Sequence, residues 1–353
     1  MAMNSEKEQL NERERNILRS VVQQFILTAS PVGSRYITRK YEMGISPATV
    51  RNIMADLEES GFINHPHTSA GRVPTDKGYR YYVDSIMELK ELKNPEKGII
   101  NRTLKTDVTD TEELFKIASN LLSTITNQLA CVAYPDIDSG ILEKLQIISL
   151  TSSRLLIVIS IKSGLVRTIT LEIKSYVKSS QLESVERLLN ERLAGLRMNE
   201  IRTTFKDRFK DVDDNQKPVI RMFIDSVDKI FKDDKRNEKL ILTGARNIIK
   251  QPEFEDPERF ESVIELMEDR DIIIHIMEKP SDKDNNDVII SIGSEIEDVK
   301  MQDYSFISKE YRLGESVGTL GIIGPKRMEY SKIVAIVDYI SKMLSEFLTN
   351  SSK

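Results

Sequence analysis

Cysteine is almost missing from this sequence: Cys131 is the only one in 353 residues. A lone thiol excludes an internal disulfide and any thiolate metal cluster. Its apolar setting, LACVAY (129–134), marks it as a small buried hydrophobe. Histidine is nearly as scarce, and His65-Pro66-His67 has its third possible partner far away at His275, so no zinc set is evident. No apolar run approaches the roughly 18 residues of a membrane span. The first residues, MAMNSEKEQLNERERN, are polar where a secretory peptide would be apolar, so a soluble cytoplasmic protein with no membrane partner is expected. Positive charge is not in excess either: 51 Lys and Arg stand against 56 Asp and Glu, net −5. That excludes a basic coat over the whole molecule and leaves room for a local basic patch.

The motifs of common catalysts are missing as well. There is no G-x-S-x-G elbow, no H-E-x-x-H and no G-x-x-x-x-G-K-[ST]. The run DKDNNDV (282–288) begins like a calcium loop at Asp282, Asp284 and Asn286. It then has Asp287 where the sharp-turn glycine belongs and Gly293 where the bidentate glutamate belongs. Glycines 314, 318, 321 and 324 suit turns around a strand better than a phosphate cradle. No enzyme, metal or cofactor is expected.

What is present is enough apolar material, 39%, for two or three packed domains. Residues 10–28 place Leu10, Ile17, Leu18, Val21, Val22, Phe25 and Ile26 at helical spacing, with Glu12 and Glu14 suited to a helix start. Ser30, Pro31 and Gly33 break it, a short helix follows over 34–42, and Met43-Gly44-Ile45 turns the chain. Ser46 is a good N-cap with Pro47 at the first helical position, and this third helix runs to a stop at Gly61. Residues 62–75 read as two short strands around the polar loop HPHTSAGR, and a helix with Tyr79, Tyr81 and Tyr82 begins near Thr75. Helix, helix, turn, helix and a strand pair form a winged helix-turn-helix. Asn94, Pro95 and Gly98 then look like a boundary.

Beyond it, 145–150, 154–161 and 165–173 are β-branched segments of an antiparallel meander, while 181–240 turns helical and highly charged. Strand-like runs return at 272–277 (IIIHIM), 288–292, 304–308 and 317–323. A last amphipathic helix over 328–348 repeats Ile333, Ile336, Val337, Ile340, Leu344 and Phe347. This predicts a sensor-like α/β domain with antiparallel strands, interrupted by a helical insertion.

The third helix is the most informative segment. Val50, Ile53, Met54 and Leu57 share one side, as a core stripe should. The other side presents Ala48, Asn52 and Ala55, flanked by Thr49 and Arg51. Small residues let a helix sit deep in a major groove, Arg suits guanine, Asn suits adenine, and Ala or Thr can meet a thymine methyl. Residues 31–82, with Arg35 among their cations, carry a net +2 and leave −7 for the remainder, so this module can approach phosphates that the rest would repel. In the wing loop His65, His67, Thr68, Ser69 and Arg72 can all meet phosphate or reach a minor groove.

SPVGSRYI (30–37), ISPATVRNIMADLEESGFINHPHTSAGRVPTDKGYRYYVD (45–84) and GESVGTLGIIGPKRMEYSKIVAIVDYISKML (314–344) closely resemble the HrcA family of heat-inducible transcription repressors. The similarity is weaker in ACVAYPD (130–136) and the strands that follow, and over 181–265 it is mainly positional. The resemblance implies an α+β multidomain chain: an N-terminal winged helix-turn-helix over 1–92, a GAF-like α/β domain over 93–180 and 266–353, and a mainly helical dimerisation domain inserted at 181–265. It further implies a homodimer on a double-stranded inverted-repeat operator (CIRCE) ahead of chaperone operons, with activity modulated by the GroEL chaperonin. Operator contact carries over to Ser46, Ala48, Thr49, Arg51, Asn52, His67 and Arg72, with Arg35 beside them. Amphipathic helices in 181–240 are candidates for the dimer contact, and ordinary core packing explains their stripes equally well. The alternative function is a metabolite-sensing regulator whose GAF-like domain binds a small ligand.

Overall fold

The computed structural model describes residues 10–41, 44–66, 71–105, 111–173, 177–212, 217–232, 240–278 and 287–351. Helix α1 (Glu12–Thr28) opens with a capping box: the Asn11 side chain accepts from the amides of Arg13 and Glu14, and the Glu14 carboxylate accepts from the Asn11 amide at 2.8 Å. Helix α2 (Ser34–Lys40) and helix α3 (Pro47–Glu59) follow, then strand β1 (Ile63–Asn64) pairs antiparallel with β2 (Val73–Pro74). Val32 and Arg72 exchange both backbone hydrogen bonds, at 2.8 and 2.9 Å, and extend this small ribbon by one rung. The exchange needs Gly71, where a Cβ would lie 2.5 Å from the Val32 carbonyl. Helix α4 (Asp76–Tyr81), capped by Thr75, runs into a π-helical turn over Tyr82–Ile86. It crosses β1 so closely that a Cβ on Gly78 would come within 2.0 Å of the Phe62 carbonyl oxygen. Ile17, Leu18, Val21 and Val22 of α1 are buried together with Ile37, Val50, Met54, Leu57 and Phe62, so each helix is held by the others.

The body is built on a five-stranded antiparallel sheet. Its order is β7 (Leu240–Thr243), β3 (Leu129–Ala133), β10 (Ser316–Pro325), β9 (Tyr304–Leu313) and β8 (Ile289–Ile292). Helices α5 (Asn94–Leu104), α6 (Thr111–Thr126) and α14 (Tyr330–Ser351) share one core with β3, β9, β10 and the winged helix. Helices α11 (Ala245–Ile249), α12 (Pro257–Glu268) and α13 (Arg270–Met277) share a second core with the same strands. Both faces are filled: Phe115, Tyr311 and Ile322 are buried in the first core, Phe254, Tyr304 and Phe306 in the second. Gly318 lies in β10 because the Tyr311 ring occupies the place of its Cβ, 2.4 Å away.

A third core stands apart. Strands β4 (Leu142–Thr151), β5 (Arg154–Ile161) and β6 (Val166–Glu172) form the expected meander, and its inner residues Leu145, Leu155, Ile157, Ile159, Ile169 and Leu171 pack with α7 (Ser179–Leu193), α8 (Met198–Arg208), α9 (Lys217–Asp225) and α10 (Val227–Phe231). The chain leaves the main sheet after Ala133 and returns at Leu240, and these two residues face each other across the β3–β7 pair. Residues between them are therefore an insertion that leaves the main sheet closed.

Three expectations change. The division at 181 and 265 followed a shift from strand-like to helix-like composition. The cores instead join the meander to α7–α10, and join residues 240–277 to the main sheet. The run IIIHIM is helix α13 rather than a strand: Ile273, Ile274, Ile276 and Met277 are buried around an exposed His275, which is helical spacing. Asn94, Pro95 and Gly98 lie inside α5, whose first turn tolerates the proline, and the connection between head and body is 87–93.

Candidate nucleic-acid interface

Helix α3 begins where Ser46 predicted. Its Oγ accepts from the Thr49 amide at 3.1 Å and lies 3.0 Å from the Thr49 hydroxyl, with Pro47 in the first turn. Ser46 and Thr49 thus spend their polar groups on starting the helix. Val50, Met54 and Leu57 face the core, while Ala48, Arg51, Asn52 and Ala55 are exposed along the opposite side. The side chains of Arg51 and Asn52 have no hydrogen-bond or ion-pair partner among the described residues, and neither has that of Arg35, exposed on α2. The strip is thus small at Ala48 and Ala55 and carries free donors at Arg51 and Asn52, the chemistry that base edges require.

The wing is tied to the recognition helix. Glu58, near the C-terminal end of α3, holds two wing residues at once: Arg72 Nε lies 2.8 Å from Glu58 Oε2, and His65 Nδ1 pairs with Glu58 Oε1. The Arg72 side chain is only 17% exposed, lying between the wing and the recognition helix beside Glu58. His67, with 68–70 of the wing tip, lies outside the described residues, as do residues 42–43 and most of the DKDNND loop.

Sequence reasoning missed two residues of this surface. Glu58, outside the strip on α3, is given no role by the sequence pattern. Tyr36 on α2 is 44% exposed, and the Lys40 ammonium sits 5.5 Å from its ring centre. The signal was an aromatic beside the buried Ile37, on a helix whose other exposed residues include Arg35, Arg39 and Lys40.

A winged helix with a free, donor-bearing recognition strip, set on an α/β body, defines a transcription regulator. The C-terminal domain model of the HrcA protein matches residues 112–334. Heat-inducible transcription repressors HrcA from Chlorobium phaeobacteroides (strain BS1) and Chlorobaculum tepidum are 41% and 40% identical to this chain. Each alignment covers 96% of this chain, with 99% and 98% of the respective relative. A crystal structure described only as that of a hypothetical protein shares the fold at a TM-score of 0.62 and 25% identity, covering 97% of this chain and 100% of its own. The chain belongs to the HrcA family of heat-inducible transcription repressors. Among the described residues no helix is long and apolar enough to cross a membrane.

Proposed function

We propose that this chain acts in the cytoplasm as a homodimer that binds an inverted-repeat DNA operator of the CIRCE type and represses heat-shock chaperone operons. The observation that carries this reading is the exposed strip Ala48, Arg51, Asn52 and Ala55 on a helix whose other side is buried. In this reading Arg51 and Asn52 contact base edges, and Ala48 and Ala55 allow close approach. Arg35 meets a phosphate, Ser46 and Thr49 form the cap that presents the strip, and Arg72 shapes the wing that carries His67 to the backbone. The net −7 outside residues 31–82 orients the head toward DNA by repelling everything else.

One winged helix reads few base pairs, and a two-fold protein on a palindrome reads twice as many. The insertion is the part proposed to dimerise. The stripes of α7–α10 are used up in its own core, so its helices are a poorer choice than the outer face of β4–β6. There Ile148, Leu150 and Val166 are 45, 50 and 64% exposed, with Leu156 opposite Ile148 in the register. A second copy supplies the matching apolar face at no further requirement. Family membership supports modulation by GroEL. The main sheet is packed on both faces, and membership in a family of heat-inducible repressors favours this reading over the metabolite-sensing alternative.

Selection of bound duplexes from random DNA, with GroEL supplied, tests the reading. A recovered palindrome is expected; recovery of unrelated sequences would overturn it.

A further inference from the structure

Two of the sequence blocks that resemble the family, 45–84 and 314–344, meet in space. Asp76, in the first turn of α4, accepts from Lys326 Nζ at 2.8 Å through Oδ1 and from the Ser294 amide at 2.9 Å through Oδ2. Gly293 beside it has φ +52°, and a Cβ there would lie 2.3 Å from Oδ2, so only glycine lets the loop close on the carboxylate. Burial pushes the Asp76 carboxyl up, but the hydrogen bonds from Lys326 and Ser294 outweigh it and hold the group below the ordinary range. One turn further, Arg80 engages Glu295 through Nε at 2.6 Å and through Nη2, which also donates to the Ile290 carbonyl at 2.7 Å on β8. Glu295 is itself fixed by the Ile292 amide at 2.9 Å.

Two more fastenings come from the body. Arg327 Nη1 donates to the Ile26 carbonyl near the end of α1 at 2.7 Å, while its other nitrogens hold Glu253 and Gln251. Ser331 Oγ accepts from the Lys90 amide at 2.8 Å and donates to the Glu88 carbonyl, pinning the connection between head and body. The buried rings of Tyr79 and Tyr330 pack between these points, centres 6.0 Å apart. The Tyr79 hydroxyl is buried with no hydrogen-bond partner among the described residues, which opposes docking, so the directional ion pairs are what hold the angle. None of these contacts involves Ala48, Arg51 or Asn52. The body leaves the recognition strip open and fixes only the direction in which it points.

We propose that Asp76 and Arg80, through Lys326 and Glu295, are positioning residues that fix the winged helix on the body and thereby set the half-site spacing the dimer accepts. The inference rests on the reading of the chain as a two-headed DNA binder. In such a dimer the heads are related only through their bodies, and a loose joint would let one dimer span several spacings at reduced effective concentration.

The test places its substitutions on the body, where they leave the head's own packing intact. Full-length Lys326→Met, Glu295→Gln and the double variant are compared with the parent on palindromic duplexes whose spacer changes by single base pairs over one helical turn, and on a duplex with one half-site. The parent is expected to bind about tenfold or more weakly two base pairs from its optimum, and the double variant to vary by less than about threefold across the series with unchanged single half-site affinity. A double variant that keeps the parent's sharp profile overturns the proposal, and so does an equal loss on the single half-site. If the parent itself binds paired and single half-sites alike, the two-headed reading fails first and the proposal goes with it.

Discussion

Replacing Arg51 by alanine separates reading from folding more cleanly than any other change in this protein. Its side chain is exposed on α3 and has no partner among the described residues, so its removal should leave unfolding within about 0.5 kcal/mol of the parent. A bidentate arginine–guanine contact discriminates by about 1–3 kcal/mol. Each head of a symmetric dimer loses it once, so the whole operator should lose about 2–6 kcal/mol, roughly 30-fold to 10⁴-fold in Kd. A single half-site should lose only the square root of that factor. Fluorescence anisotropy on operator, half-site and scrambled duplexes at two salt concentrations measures all three. Unchanged operator affinity would refute the groove assignment. Equal weakening on operator and scrambled DNA would show that Arg51 meets phosphate instead of a base.

Other substitutions probe the supports. Arg72→Ala should weaken operator and scrambled duplexes alike by loosening the wing, with the slope of log K against log salt unchanged; a slope lower by about one would reveal a phosphate contact. Gly78→Ala should destabilise the head by about 1–3 kcal/mol in urea unfolding, because the new Cβ meets the Phe62 carbonyl and neither backbone can yield; an unchanged midpoint would contradict the packing. Ile148→Asp with Val166→Asp should shift sedimentation from dimer to monomer without loss of helix signal, and a persisting dimer would exclude the β4–β6 face. The Asp76 carboxyl is lowered in the folded chain, so its contribution is present above the ordinary carboxyl value and is lost as pH falls through the lowered one. The stability gap between the parent and Asp76→Asn should therefore stay constant from about pH 5 to 8 and close below about pH 4; a gap that widens in acid would reverse the assignment.

Much of the head was legible in the chain because its signals are local. A serine cap followed by proline, an apolar stripe at 50, 54 and 57, and alanines opposite are statements about one helix, and helical geometry alone converts them into a buried side and a free side. The meander was legible through composition: three β-branched segments lie close together in the chain, separated by short polar or glycine-containing turns. Short continuous apolar runs such as IIIHIM carry no period, and their state was set by what they pack against.

Sequence by itself therefore determined which residues face outward on the recognition helix and to which family the chain belongs. Only the tertiary structure decided that the meander leaves the main sheet with α7–α10, that Glu58 takes Arg72 and His65, and that Asp76 meets Lys326. The physical reason is separation: Asp76 and Lys326 stand 250 positions apart in the chain, and no local periodicity encodes a pairing that exists only once the head has packed against the main sheet.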